Sequence, residues 1–493
     1  MIRNPVIKLT LFYLISIGFI LLNVWFVVKK DTLILSVLPF LLALALVVVY
    51  SFDKIIWLIA FFAPLSLPLR DVMPGMFSFD MFLPTEPLLF GLLIIFLMKV
   101  LHEKSFDRQI LQHPVTLAIF LNLFWIFMTC LTSSMPVVSF KFLLARIWFV
   151  VGLYLLTAKI FTDHKNLERY VWLYAIPLIA VIFYSTTRHL SYGLWNKQAG
   201  HFVVNPFYSD HTSYGAVLAL YLPFMAMFSF SRFFPTKVRL ISFVAFGILL
   251  MGFILSYSRA AWVSMLVGLV VYGIVKLKIR FRPLFITFLS IVVLLLLFQD
   301  QIFMRLERNS EQSSADFRTH ISSISNITTD ASNLERINRW SCAIRMFSDK
   351  PVFGYGPGTY MFQYAPYQLN NDRTIISTNA ADGGNAHSEY LGPLSESGVL
   401  GLLTFLLIIG SVIYTAVQTY MRLTNARLKS FVLTALVALT TYYTHGFLNN
   451  FLDTDKLSVP FWGFTAMIVA IDLYSRHENG AQKNPDENRP DSC

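Results

Sequence analysis

The sequence predicts an all-α polytopic membrane protein of about 12–14 transmembrane helices with one large, partly helical loop on the outer side. Three observations predict it. Of 493 residues, 56% are hydrophobic and only 14% charged, against about 25% charged in a soluble domain. Aromatics reach 16%, with 46 Phe, which suits lipid-facing helices and interfacial belts. Apolar runs of spanning length recur along the chain. A soluble enzyme with a single anchor is excluded.

The runs lie near 9–28, 33–49, 88–101, 115–133, 142–160, 168–185, 212–231, 238–256, 260–277, 283–299, 398–418, 430–446 and 459–474, with a shorter one at 55–69 broken by Pro64 and Pro68. The first is too long for a signal-peptide core and Lys29-Lys30 follows it, so it is expected to stay as a span. Cys130, Cys342 and Cys493 are odd in number and far apart, and form no disulfide framework or metal spacing.

The net charge of +11, from 39 Lys+Arg against 28 Asp+Glu, sets orientation and does not argue for nucleic acid. Basic clusters at 99–108, 159–169, 232–239, 276–282 and 422–429 are each separated by two spans. All five therefore share one face, the cytoplasmic one; Lys29-Lys30 is the exception. The expected organisation is N-terminal spans over 1–185, spans with an outer loop (186–211) and the Arg259 junction over 186–300, a large outer loop over 301–397, C-terminal spans over 398–474, and a disordered cytoplasmic tail over 475–493.

The 301–397 loop is far too long for a connector. Asn309–Asp330 is Ser/Thr/Asn-rich and reads as flexible. Ser332-Asn-Leu-Glu335 has capping-box spacing. The helix it predicts carries Arg336, Trp340, Ala343, Ile344 and Phe347 on one stripe and stops before Pro351. A turn, Gly354-Tyr-Gly-Pro-Gly358, and an aromatic segment to Tyr367 follow.

Chemistry is expected on this outer side. His387, where the loop re-enters the membrane, has a side chain that takes a proton near neutral pH; a structural interfacial histidine is the alternative. Glu396, near the start of the next span, is placed to orient it. Arg259 stands in the tight junction Ser256-Tyr-Ser-Arg259, where a buried guanidinium is costly unless it meets an anion; snorkelling to headgroups is the alternative. Arg336 points from the apolar stripe, whereas Arg339 and Arg345 read as solvated charges. Arg146, Arg188, His201, Asp210, His211, His445, Asp453 and Asp455 are further polar groups for which a structural role is the first reading. Gly354-x-Gly356-x-Gly358 lacks the strand–helix setting of a dinucleotide loop. No carboxylate pair or zinc spacing is present in the sequence, and no cofactor is expected.

Three segments together resemble the O-antigen ligase and polymerase superfamily of bacterial membrane glycosyltransferases. They are Tyr257-Ser-Arg259-Ala-Ala261; Arg336-Ile-Asn-Arg-Trp340 running through Asp349-Lys-Pro351 to Gly358; and Ala386-His-Ser-Glu-Tyr-Leu391 with Glu396-x-Gly398-x2-Gly401. Gly200-His-Phe-Val-Val-Asn205-Pro206 is similar to a further short motif. Ser388 departs from the commoner Asn but keeps a polar side chain. The resemblance implies transfer of a glycan from undecaprenyl pyrophosphate to an acceptor hydroxyl at the periplasmic face of the bacterial inner membrane. The acceptor is lipid A-core in ligases, another repeat unit in polymerases, and a protein hydroxyl in related oligosaccharyltransferases.

It further implies that His387 is the general base with Glu396 holding it, that Arg259 and Arg336 bind the pyrophosphate without a metal, and that Arg146, Arg188 and Asp453 are accessory. Membrane lipid is the surrounding partner. A ligase is favoured slightly over a polymerase. A small-anion transporter is the alternative from another class, since inorganic-carbon transporters share the resemblance. It fits less well, because ionisable residues avoid the centres of the runs, Arg146 excepted. A scaffold or inactive relative is a third reading.

Overall fold

The computed structural model describes residues 13, 16–23, 25, 52–73, 81–103, 106–279, 331–369, 377 and 384–483. The expected spans at 33–49 and 283–299, half of the run at 9–28 and the flexible stretch 309–330 lie outside them. The chain divides into Met1–Ile55 and Ile56–Cys493. In the first unit the described residues include a helical stretch at 16–23.

The helices are α1 (Phe52–Phe62), α2 (Thr85–Glu103), α3 (Pro114–Leu131), α4 (Pro136–Phe149), α5 (Lys165–Leu190), α6 (His211–Phe230), α7 (Thr236–Leu255), α8 (Arg259–Lys276), α9 (Ala331–Asp349), α10 (Leu391–Arg422), α11 (Ala426–His445) and α12 (Asp455–Lys483). A π-helical turn, Val150–Leu156, and Thr157–Ile160 prolong α4. Among the described residues, nine helical segments are long and apolar enough to cross a membrane. The protein is an all-α polytopic membrane protein. Strand is confined, among the described residues, to the two-residue pair Leu67–Pro68 and Phe82–Leu83. The Pro64/Pro68 run accordingly ends α1 at Phe62 and folds into this small hairpin, since proline removes the N–H a helix needs.

Helices α6 and α12 are the most buried of the spans. Both are apolar around most of their circumference, as expected for helices surrounded by others. Helix α6 packs on α7 and α11, α8 on α11, and α10 on α3. Helix α11 is buried from Phe431 to Tyr443 despite its threonines, whose hydroxyls return to carbonyls of their own helix.

Buried charges tie the bundle at both ends. Lys456 Nζ donates to Ala63 O (3.2 Å), Ser66 O (2.8 Å) and Ser66 Oγ (2.7 Å), holding the hairpin against α12. At the opposite end Asp472 accepts from Thr419 Oγ1 (2.5 Å), pairs with His113 and Arg476, and also accepts from Arg422. Both groups meet the rule that intramembrane charges pair. Helix α12 continues to Lys483. The tail expected to be disordered from Ser475 is therefore helical in its first part, because a packed helix propagates into the polar sequence that follows it, Gly480 included.

Candidate functional site

Residues 385–390 form a strap between the large loop and α10. Asn385 Oδ1 accepts the His387 N–H (3.1 Å), and Trp340 Nε1 on α9 donates to the His387 carbonyl (3.3 Å). Ser388 Oγ accepts from the N–H groups of Tyr390 (3.2 Å) and Leu391 (3.3 Å), capping α10. A capping oxygen is what this position needs, so serine replaces asparagine there without loss. His387 sits at φ 48°, a left-handed backbone that a β-carbon disfavours, so the strap's hydrogen bonds hold the imidazole in place against strain.

The His387 imidazole is half-buried and forms no hydrogen bond among the described residues. The charges acting on it are those of Arg336, Arg339, Asp210 and Glu335. Burial first, and then the nearby Arg336, push its pKa down to about 4. The ring is therefore neutral at neutral pH, with a nitrogen lone pair available.

Arg336 lies one helical turn before Trp340 on α9, which places it beside the strap. Arg259 is the first residue of α8, behind the Ser258 cap whose Oγ accepts from Ala261 N (3.3 Å). The two arginines come from segments far apart in sequence, yet both charges act on His211 at the start of α6. His211 stacks on His201 with centroids 4.1 Å apart. Asp210 caps α6 by accepting from Thr212 N (2.7 Å) and Ser213 N (2.8 Å). Its charge reaches His211, His387 and His445. Arg259, Arg336 and His387 thus share one electrostatic neighbourhood with Asp210 and His211. These last two read in sequence only as outer-side polar groups; the signal that marked them was Asp210-His-Thr-Ser before an apolar run, the pattern of a helix start.

The face of α9 differs from the predicted stripe. Its buried residues are Glu335, Asn338, Arg339, Cys342, Ala343 and Met346, while Ile344 is exposed. Arg339 is not a solvated charge: Nε pairs with Glu335 Oε1 (2.6 Å) and the guanidinium lies 3.9 Å from the Tyr364 ring centroid. Arg345 donates to Tyr367 O (2.7 Å). An apolar stripe mispredicted the face because this helix buries polar groups that satisfy one another. Ser332 falls inside α9, and Glu335 pairs with Arg339 and also accepts from Asn338 and Ser377.

Other expected residues fall elsewhere. Glu396 does not hydrogen-bond His387; its Oε1 accepts from Tyr360 N (2.8 Å), so it fixes the aromatic turn and not the imidazole. Arg146 pairs with Asp453 (2.8 Å) and reaches Leu452 O (3.3 Å). Together with Glu389, Glu396, Asn385 and Asn450 they line a cavity of about 120 Å³. Arg188 donates to Asn205 O (2.7 Å), clamping the 186–210 loop. The residue that sequence reading passed over is Glu389. Its Oε1 accepts from Tyr442 Oη (2.6 Å), Phe451 N (2.8 Å) and Leu452 N (2.9 Å), and its N–H donates to Gly446 O (2.8 Å). Burial raises its pKa above the ordinary carboxylate value.

The glycine-rich turn is structural. Gly354 (φ 66°) and Gly398 (φ 69°) both need left-handed backbone. Gly398 breaks the helical path of α10, which frees the carbonyls before it. Tyr355 N then donates to Ser395 O (3.2 Å), Gly356 N to Glu396 O (2.8 Å) and Val399 N to Pro351 O (2.9 Å). A β-carbon on either glycine would strike the other segment's backbone. The interlock holds the end of α9, and with it Arg336, in register with α10.

A family model described as O-antigen ligase matches residues 244–406. The match runs from α7 through Arg259, Arg336 and the strap into α10. No curated protein matches the chain.

Proposed function

From its membership of the O-antigen ligase and polymerase superfamily, we propose that this protein transfers a glycan from undecaprenyl pyrophosphate to an acceptor hydroxyl at the periplasmic face of the inner membrane, with lipid A-core as the favoured acceptor. What supports the reading is that the charges of Arg259 and Arg336 both act on His211, and that Arg336 also acts on the His387 imidazole, whose ring forms no hydrogen bond among the described residues. Arg259 and Arg336 hold the pyrophosphate and stabilise the charge that grows as the anomeric C–O bond breaks. Neutral His387 takes the proton of the attacking hydroxyl. Direct displacement inverts the anomeric carbon, with pyrophosphate leaving on its polyprenyl carrier. Binding the anionic donor offsets the positive charge of Arg336 and so raises the basicity of His387 when substrate is in place. Fixed arginines supply this charge with no part for a metal. Glu396 acts at a distance, by fixing the turn at Tyr360.

The test uses purified protein, a synthetic undecaprenyl-pyrophosphate glycan, and lipid A-core or a glycan offered separately. Transfer to lipid A-core supports a ligase. Transfer only to a second glycan makes the protein a repeat-unit polymerase. Uptake of a small anion into liposomes, with no transfer to either acceptor, replaces the reading with a transporter.

A further inference from the structure

His445 closes α11 and is almost wholly buried, 1% exposed. Its Nε2 lies 3.2 Å from Asn449 Nδ2. An amide nitrogen has only protons to give, so Nε2 accepts, and the proton of the neutral ring sits on Nδ1. That Nδ1 has no partner among the described residues. A buried donor left without an acceptor is costly, and orphaned donors in native proteins call for an explanation.

The surroundings of the ring supply one. The charges that act on it are Asp210, Arg336 and His211, and Arg336 also acts on His211 and His387. The end of α11 also packs on the strap that carries His387: Glu389 N–H donates to Gly446 O (2.8 Å) and Tyr390 Oη to Tyr443 O (2.8 Å), while Asn449 fixes Nε2. Asp210 does not meet the need: it acts on the ring by its charge, but neither of its oxygens is a hydrogen-bond partner of Nδ1. We propose that His445 donates its Nδ1–H to an oxygen of the diphosphate held by Arg259 and Arg336, as a third and uncharged donor to the leaving group; this rests on the glycosyl-transfer reading above. A neutral donor has an advantage in this place. A third cation would depress the basicity of His387 further, whereas an N–H stabilises a diphosphate oxygen without adding charge.

The test measures binding of undecaprenyl pyrophosphate to the full chain in detergent, with undecaprenol as the control for the lipid tail. His445→Phe keeps a ring and removes the donor; it is expected to weaken undecaprenyl pyrophosphate binding about tenfold or more and leave undecaprenol unchanged. His445→Asn places an amide N–H where Nδ1 stood and is expected to restore most of the affinity. If His445→Phe binds as tightly as the wild type while Arg336→Gln loses affinity, the His445 assignment is wrong and the glycosyl-transfer reading stands. If the wild type does not prefer undecaprenyl pyrophosphate to undecaprenol, both fall. Should His445→Phe not fold, His445→Asn is compared with His445→Gln, which puts its N–H at the Nε2 position. Tight binding by Asn and weak binding by Gln supports the assignment, and equal affinity overturns it.

Discussion

His387 and Glu389 stand two residues apart in one strap and live under opposite regimes. The imidazole forms no hydrogen bond among the described residues and feels Arg336, Arg339, Asp210 and Glu335. The carboxylate accepts three hydrogen bonds from Tyr442, Phe451 and Leu452, and the charges that reach it are Asp453 and Arg146. A polar group with one oxygen bonded three times within the fold holds structure together. One that is held rigidly by its backbone, with its ring nitrogens uncommitted, is prepared for a partner from outside. The difference separates a fastening from a reactive group where residue type alone would assign chemistry to either.

The largest way to break this comparison is Glu389→Ala. It strands the buried Tyr442 hydroxyl and the Leu452 N–H, Phe451 N–H keeping Tyr442 Oη as acceptor (3.1 Å); each stranded group costs about 1–3 kcal/mol, so thermal or denaturant unfolding should show a loss of about 2 kcal/mol or more. Stability equal to the wild type would mean that the carboxylate is not the fastening. Arg336→Gln comes next: donor kcat/KM should fall about tenfold or more, with unfolding little changed. An unchanged value would remove Arg336 from the leaving-group site.

The pH profile sharpens the comparison. The base works deprotonated, and burial with Arg336 lowers the His387 pKa to about 4 in the free enzyme. The kcat/KM acid limb, which reports the free enzyme, should therefore leave activity nearly flat through pH 6.5 and fall only as pH approaches 4. A half-loss at pH 6.5 would show an unperturbed imidazole. The smallest effect belongs to Arg146→Gln. Its partner Asp453 is half exposed, so stability should shift by no more than about 1 kcal/mol. Donor KM should be unchanged, and a tenfold rise would place Arg146 in the phosphate site after all.

The spans were legible in the sequence because a bilayer imposes length and apolarity on each one independently. Where the structure describes α3, α5, α6, α7 and α8, the apolar runs had marked them. The π-helical extension of α4, whose residues are all buried, and the helical start of the tail, which continues the packed α12, were not legible in any local pattern. Arg259, Arg336 and His387 stood out as polar groups at helix ends facing one side. Which polar residues are already satisfied is a property of pairs distant in sequence, such as Glu389 with Tyr442 or Arg146 with Asp453, and no local pattern carries it. The buried face of α9 failed for the same reason: Arg339 reads as solvated and Glu335 as a cap until the two are seen to pair.

One measurement bears most directly on the account: transfer of glycan from undecaprenyl pyrophosphate by His387→Ala and Glu389→Gln, side by side with the wild type. The account predicts that His387→Ala stays folded, because its ring makes no hydrogen bond among the described residues, yet loses turnover by about 100-fold or more. Glu389→Gln, which retains an accepting oxygen, should turn over while melting at lower temperature. Full activity in His387→Ala, or its loss in a Glu389→Gln protein as stable as the wild type, would contradict it.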